Sequence, residues 1–89
     1  MRLDKFLKLS RLIKRRTEAK KACQGGYIKI NDKIAKAGDE IKISDRMEIE
    51  FKDRFLMVEI IQIPAGNISI HQASSLYRII KEIKKVEPN

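Results

Sequence analysis

The sequence is poor in the residues that commonly carry catalysis or hold metals. Among its 89 residues it has no tryptophan, one cysteine (Cys23) and one histidine (His71). A lone cysteine excludes an internal disulfide and favours a reduced, cytoplasmic setting. A metal site or a general base needs further positioned groups beside the histidine. We therefore expect a protein that is not an enzyme and needs no metal or cofactor, with Cys23 buried and His71 in solvent.

Long apolar segments are also absent. No run approaches the roughly 20 apolar residues that cross a bilayer, and Lys8, Arg11 and Lys14 interrupt the segment in which a signal peptide would be apolar. An alternative is that the basic N-terminal helix binds to an anionic membrane surface. It is disfavoured because the apolar face of that helix is needed for the core and no tryptophan is present to anchor an interface.

Negative charge is scarce in the first 22 residues. This segment holds nine lysines and arginines against two acids, a balance of +7, whereas the other 67 residues hold 11 basic and 10 acidic side chains. Positive charge gathered on one short segment is typical of proteins that bind polyanions. The sequence thus predicts one nucleic-acid-binding side. Folded RNA is favoured over DNA because no base-reading helix is evident.

Two helices are expected at the N-terminus. Residues 2–13 place apolar side chains along one arc and cations opposite them. A basic connector at 14–16 leads to Thr17, the expected N-cap of a second helix over 18–24. Gly25-Gly26 ends that helix.

Strands are expected in the middle of the chain, which makes the fold class α+β. Apolar and polar residues alternate between turn residues, with strands expected at 27–30, 33–34, 47–51 and 55–63. A last helix is expected over 75–85, capped by Ser74 or Ser75, because apolar residues recur there at helical spacing. The chain then divides into a binding domain at 1–64 and a loop with a C-terminal helix at 65–89.

Several spaced blocks resemble the S4 RNA-binding domain. They are Arg2 to Leu7 (RLDKFL), Ser10 to Thr17 (SRLIKRRT), Ala19-Lys20, Gly26 to Asp32 (GYIKIND) and Ala35-Lys36. Two departures from the pattern are Asp32, where the turn usually has glycine, and Ser44, where glycine is frequent. The short stand-alone length, the RLIKRRT segment and the tail at 73–77 most resemble the RqcP group of bacterial ribosome-associated quality control.

The resemblance implies a fold and a role. The fold would be two helices packed on a small, mainly antiparallel sheet. The partners would be large-subunit rRNA, peptidyl-tRNA and RqcH, which adds untemplated alanine tails to stalled nascent chains; the protein itself would be a monomer. An alternative is a ribosome recycling or assembly factor like the heat-shock S4 protein. A pseudouridine synthase, which this domain often precedes, would need a catalytic domain for which 89 residues leave no length.

The same resemblance assigns residue roles. The residues expected to face RNA are Arg2, Lys5, Arg11, Lys14, Arg15, Arg16, Thr17, Lys20 and Lys36. Asp4 would orient a neighbouring arginine, because a lone carboxylate facing phosphate would be repelled. Gly26 and Asn31 would serve the backbone turns, and Lys8 and Lys21 would contribute little.

Overall fold

The structure, a computed structural model that describes residues 1–86, begins with two helices and continues as one sheet. The elements are α1 (Leu3–Leu9), α2 (Arg16–Gln24), β1 (Ile28–Ile30), β2 (Lys33–Ile34), β3 (Arg46–Glu50), β4 (Arg54–Ile60), a 3-10 helix (Ile70–Leu76) and β5 (Tyr77–Lys84). All neighbouring strands are antiparallel, in the order β2-β1-β3-β4-β5. The predicted α+β class, with two N-terminal helices and an antiparallel sheet, is confirmed.

The apolar arc of the first helix forms the centre of the core. Its predicted members are all buried, namely Leu3, Phe6, Leu7, Ser10 and Ile13. Ala19 and Cys23 of α2 join them, and the sheet contributes the inward side chains of β1, β3 and β4. Fully burying a leucine or phenylalanine stabilises the fold by about 2 kcal/mol. The charged faces of both helices are therefore held on a packed surface.

The first helix is shorter than expected and ends at Leu9 instead of residue 13. Arg11 has a φ of 63°, in the left-handed region, which stops the helical path. The Ser10 hydroxyl donates to the Leu7 carbonyl at 3.2 Å and accepts from the Leu12 N–H at 3.4 Å, so it replaces bonds that the helix loses. Ile13 still reaches the core because the chain turns back on itself.

The second helix begins two residues before the predicted start. Its N-cap is Arg15, in extended conformation and without a side-chain cap, and Thr17 lies inside the first turn. The prediction that Thr17 caps the helix was therefore wrong. Arg16 donates from Nε to Asp4 at 3.1 Å, and this contact fixes the first turn against α1. That tertiary contact outweighs the preference of threonine for the N-cap position.

The turns that flank β1 and β3 use left-handed residues. Asn31 and Asp32 have φ of 50° and 71°, the pattern of a type I′ hairpin turn. Ser44 has a φ of 76°, so its turn keeps the conformation of the usual glycine. Asn31 also ties this region together, because its Oδ1 accepts from the Arg46 N–H and its Nδ2 donates to Asp45, both at 3.0 Å.

The predicted helix over residues 75–85 was wrong. These residues form β5, which pairs along β4 from Tyr77 to Lys84. A register shift opposite Met57 and Val58 inserts an extra residue into β5, a β-bulge. Every residue of β5 after Tyr77 is exposed, so no buried face imposes the apolar–polar alternation that would have identified a strand. The β-branched isoleucines that produced the helical spacing are strand-favouring residues.

The segment before β5 also differs from expectation. The 3-10 helix carries a capping box between Ser69 and Gln72, so neither Ser74 nor Ser75 is the cap. β5 belongs to the same sheet as the strands of residues 1–64. The division into 1–64 and 65–89 stays a prediction, and residues 87–89 of the second part lie outside the described residues.

Candidate nucleic-acid interface

A buried carboxylate holds two arginines at the junction of the helices. Asp4 is fully buried. Its Oδ1 accepts from Arg2 Nε at 3.1 Å, and its Oδ2 accepts from Arg16 Nε at 3.1 Å. The side chains of Arg2 and Arg16 remain 54% and 41% exposed. One carboxylate thus fixes two guanidinium groups whose outer edges face solvent.

The two arginines keep this carboxylate charged. Burial on its own would raise the pKa of Asp4, but the hydrogen bonds from Arg16 and Arg2, together with their charges, lower the pKa below its usual value. The Lys5 backbone N–H adds a further bond to Oδ1 at 2.9 Å. Ionised Asp4 therefore acts as a fixed anchor for both guanidinium groups.

A loop from the middle of the chain completes the site. The Leu3 N–H donates to the Asp39 carbonyl at 2.8 Å and the Asp4 N–H to the Ala37 carbonyl at 3.1 Å. These are helix N-terminal donors that have no partner within α1. Gly38 lies beside the Arg2 guanidinium, since a Cβ there would be 3.6 Å from an Arg2 Nη. The loop thereby brings Lys36 to the same end of the molecule as Arg2.

Cations on and between the helices are unpaired. None of them has an ion-pair partner among residues 1–86, unlike Arg2 and Arg16. Five of these cations were predicted to face RNA, namely Lys5, Arg11, Lys14, Arg15 and Lys20. The other two, Lys8 and Lys21, were expected to contribute little. All are exposed except Lys5, which is half-buried. We call these residues, together with Arg2 and Arg16, the helical basic surface.

Cations on the strands are arranged differently. Arg54 pairs with Glu82 at 3.2 Å and Lys85 with Glu50 at 2.7 Å. Arg78 pairs with Glu59. Acidic partners therefore offset these three cations, whereas Lys29, Lys33 and Arg46 of the sheet have no ion pair among residues 1–86. Over the sequence, the excess of positive charge still lies in the first 22 residues, which form the helices.

The remaining predicted residues fall into two groups. Thr17 and Lys36 are exposed, at the start of α2 and in the completing loop. Gly26 has a φ of 79°, which favours glycine, and Asn31 makes the turn contacts described above. Neither Gly26 nor Asn31 belongs to the helical basic surface. The contribution of Ala37 to Asp39 was missed, because the sequence carries no local signal for a backbone contact across more than thirty positions.

The cysteine and the histidine lie on different elements, Cys23 on α2 and His71 on the 3-10 helix. Burial, together with the negative charges of Asp4 and Asp39, raises the pKa of the Cys23 thiol to about 11, which disfavours a thiolate nucleophile. His71 is exposed on the 3-10 helix. Within residues 1–86, no three histidine, cysteine or acidic side chains cluster as metal ligands. In the same part of the chain, no helix has the length and hydropathy to cross a membrane.

Comparison with known proteins identifies the family. The S4 domain model matches residues 1–47. A Halalkalibacterium halodurans protein called RQC P-site tRNA stabilizing factor is 48% identical over 88 residues, covering 99% of this chain and 94% of the relative. A Streptococcus pneumoniae protein of the same name is 42% identical, covering 100% and 99%. The chain belongs to this S4-domain family.

Solved structures agree with the S4-domain assignment. Heat Shock Protein 15 of Vibrio cholerae, described as trimeric, superposes with a TM-score of 0.80 at 28% identity, covering 89% of this chain and 80% of that protein. The solution structure of a hypothetical protein gives 0.72 at 32% identity, covering 99% and 100%. The resemblance of the sequence to the S4 domain is therefore confirmed.

Proposed function

We propose that this chain is a non-catalytic RNA-binding factor that acts on large ribosomal subunits obstructed by peptidyl-tRNA. It would bind large-subunit rRNA and the P-site tRNA through the helical basic surface, with Thr17 and Lys36 at its margin. The observation that carries the proposal is the Asp4-centred arginine pair, in which two guanidinium groups are fixed by 3.1 Å bonds and still exposed. Planar guanidinium groups held in this way are suited to phosphate.

The names of the relatives support a site of action on the ribosome. Proteins 48% and 42% identical over nearly the whole chain are named as P-site tRNA stabilizing factors. We propose that the chain acts in the bacterial cytoplasm, on the same subunit as RqcH. Holding the peptidyl-tRNA between additions would support alanine tailing of the nascent chain, and one copy per subunit fits a monomer.

The experiment compares two arginine-to-alanine variants of equal net charge. Arg16→Ala removes half of the arginine pair, whereas Arg78→Ala removes an exposed arginine that pairs with Glu59 on the strands. We expect Arg16→Ala to weaken co-sedimentation with large subunits roughly tenfold and Arg78→Ala to leave it nearly unchanged. Wild-type binding should fall steeply as salt rises, because phosphate contacts release counterions. Equal binding by both variants would contradict the assignment of the helical basic surface.

A second function is favoured by the likeness to Heat Shock Protein 15, at a TM-score of 0.80. The chain would then recycle or assemble ribosomes through the same RNA contacts, without a role in tailing. Deleting the gene and examining a stalled reporter protein separates the two functions. Loss of alanine tails supports the quality-control role, whereas unaltered tails support recycling.

A further inference from the structure

Two consecutive glycines seat an exposed tyrosine at the C-terminal end of α2. A Cβ on Gly25 would lie 2.5 Å from Tyr27 Cε2 and 2.7 Å from Cδ2, so the ring occupies the space of an absent side chain. Gly26 supplies the left-handed turn, with a φ of 79°, and the Tyr27 N–H donates to the Ala22 carbonyl at 3.0 Å. The backbone of Tyr27 is therefore fixed at the turn, and its ring lies against Gly25 while 54% of the residue stays exposed.

The seated ring borders a hollow of about 120 Å³. Phe55 provides a second aromatic side chain, and Lys29, Glu48 and Glu50 provide polar groups. The hollow lies on the sheet face opposite the buried side chains of β3, because side chains alternate along a strand.

Both carboxylates of the hollow have a cation beside them. Lys85 Nζ lies 2.7 Å from Glu50, and Lys29 is the direct cross-strand partner of Glu48. The hollow is therefore not strongly repulsive toward a polyanion. The Glu48 oxygens nevertheless remain hydrogen-bond acceptors, and the ring of Tyr27 offers an apolar face.

The hollow lies near the end of α2, and that end carries one cation of the helical basic surface. The Lys21 carbonyl accepts from the Gly25 N–H at 2.9 Å, so Lys21 lies on the turn that carries the tyrosine seat. Its exposed side chain could neutralise the phosphate of a nucleotide whose base enters the hollow. Proteins that read single-stranded RNA combine these features: a cation for the backbone, an aromatic ring for stacking and a polar group for the base edge.

We propose that this hollow binds one unpaired nucleobase of the RNA, which stacks on Tyr27 while its exocyclic amino group donates to Glu48. The inference rests on the proposed RNA-binding function. A carboxylate acceptor favours cytosine over uracil, because uracil presents an oxygen where cytosine presents an amine. Tyr27 thus adds base recognition to a surface that otherwise contacts phosphates.

The test uses the protein's own fluorescence. The chain has no tryptophan and two tyrosines, so Tyr77→Phe leaves Tyr27 as the single tyrosine. We expect hexacytidine to quench its emission and to bind more tightly than hexauridine, and Glu48→Gln to reduce that difference. For variants that lack Tyr27, binding is measured by the fluorescence anisotropy of end-labelled hexacytidine. Tyr27→Ala should weaken this binding roughly tenfold or more, whereas Tyr27→Phe should retain it. Gly25→Ala should weaken binding by displacing the ring.

The possible outcomes are separated by measuring the binding of Tyr27→Ala and Arg16→Ala to protein-free large-subunit rRNA and to intact subunits. Suppose that Tyr27→Ala binds the oligonucleotides and protein-free rRNA as tightly as the wild type but no longer binds intact subunits. The hollow would then be filled by a basic side chain of a ribosomal protein, and the inference would be overturned. Weakening by Arg16→Ala without weakening by Tyr27→Ala would refute the hollow and leave the proposed function standing. Failure of the wild-type protein to bind any of these RNAs would refute both.

Discussion

Replacing Asp4 by asparagine tests whether the buried carboxylate anchors the arginine pair. The substitution keeps the shape of the side chain and removes its charge. In the wild type, each guanidinium Nε lies 3.1 Å from a carboxylate oxygen of Asp4. In the variant, an amide N–H₂ replaces one of these oxygens, so two hydrogen-bond donors face each other. Asp4 is fully buried, so water does not reach the new amide group to replace its lost partner.

The expected loss of stability follows from the kind of bond removed. A hydrogen bond to a charged group contributes about 1.5 to 3 kcal/mol. The side chains of Arg2 and Arg16 are 54% and 41% exposed, so solvent screens part of the interaction. We expect Asp4→Asn to lower the free energy of unfolding at neutral pH by about 2 kcal/mol, or about 10 °C in Tm for a domain of this size.

The same substitution should change how stability depends on pH. The folded pKa of Asp4 is lowered from an ordinary value of 3.8, so its contribution is present above about 3.8 and is lost as pH falls through the folded pKa. Urea unfolding at pH 7 and at low pH should show the wild type and Asp4→Asn converging. Asp32→Asn, at an exposed turn position that tolerates asparagine, is the matched control.

Asp4→Asn should lower the affinity for RNA by more than the loss of folded protein accounts for. A loss of about 2 kcal/mol is smaller than the roughly 5 to 15 kcal/mol by which folded domains are typically stable, so we expect the variant to stay folded. Arg2 and Arg16 nevertheless lose their shared anchor. We expect weaker large-subunit binding with an unchanged number of cations, so the salt dependence should change little. Unchanged stability at pH 7, a stability difference that persists at low pH, or wild-type RNA affinity would each refute the anchor role.

Two further predictions concern stability. Ser44→Gly should raise the free energy of unfolding by about 1 kcal/mol in urea titrations, because φ is 76° there and a non-glycine residue is strained; Ser74→Gly, outside such a turn, should not stabilise. Burial raises the pKa of Cys23 from 9.0 to about 11, so stability should be intact below pH 9 and fall as pH rises from about 9 through about 11. Cys23→Ala should lack this component of the alkaline loss.

Local signals predicted the N-terminal half of the fold. The apolar arc of α1 and the hairpin turn at Asn31-Asp32 depend on side chains close together in sequence. The prediction of a C-terminal helix was wrong because the structure of this segment depends on residues far away in the sequence. The residues of β5 after Tyr77 are exposed, so no buried face imposes strand alternation on them, and only the pairing with β4 identifies the strand.

The candidate site shows the same limit. Contact between Asp4 and a neighbouring arginine was expected on charge grounds, and Arg2 is two positions away. The partnership with Arg16 depends on the packing of α1 against α2, and the closure by Ala37 to Asp39 depends on backbone carbonyls that any residue provides. Sequence composition therefore indicated the charge of the interface, whereas its geometry required the tertiary structure.

The burial of Asp4 also changes how the +7 segment presents its charge. Only two acids offset the cations of the first 22 residues. Glu18 is exposed, but Asp4 is enclosed beneath the guanidinium groups that it holds. A phosphate that approaches from solvent meets the outer edges of Arg2 and Arg16 first. The carboxylate lies farther away, so its repulsion of the phosphate is weaker than the attraction by the arginines. The acid therefore organises the basic surface from within, where it competes little with RNA for the arginines' exposed donors.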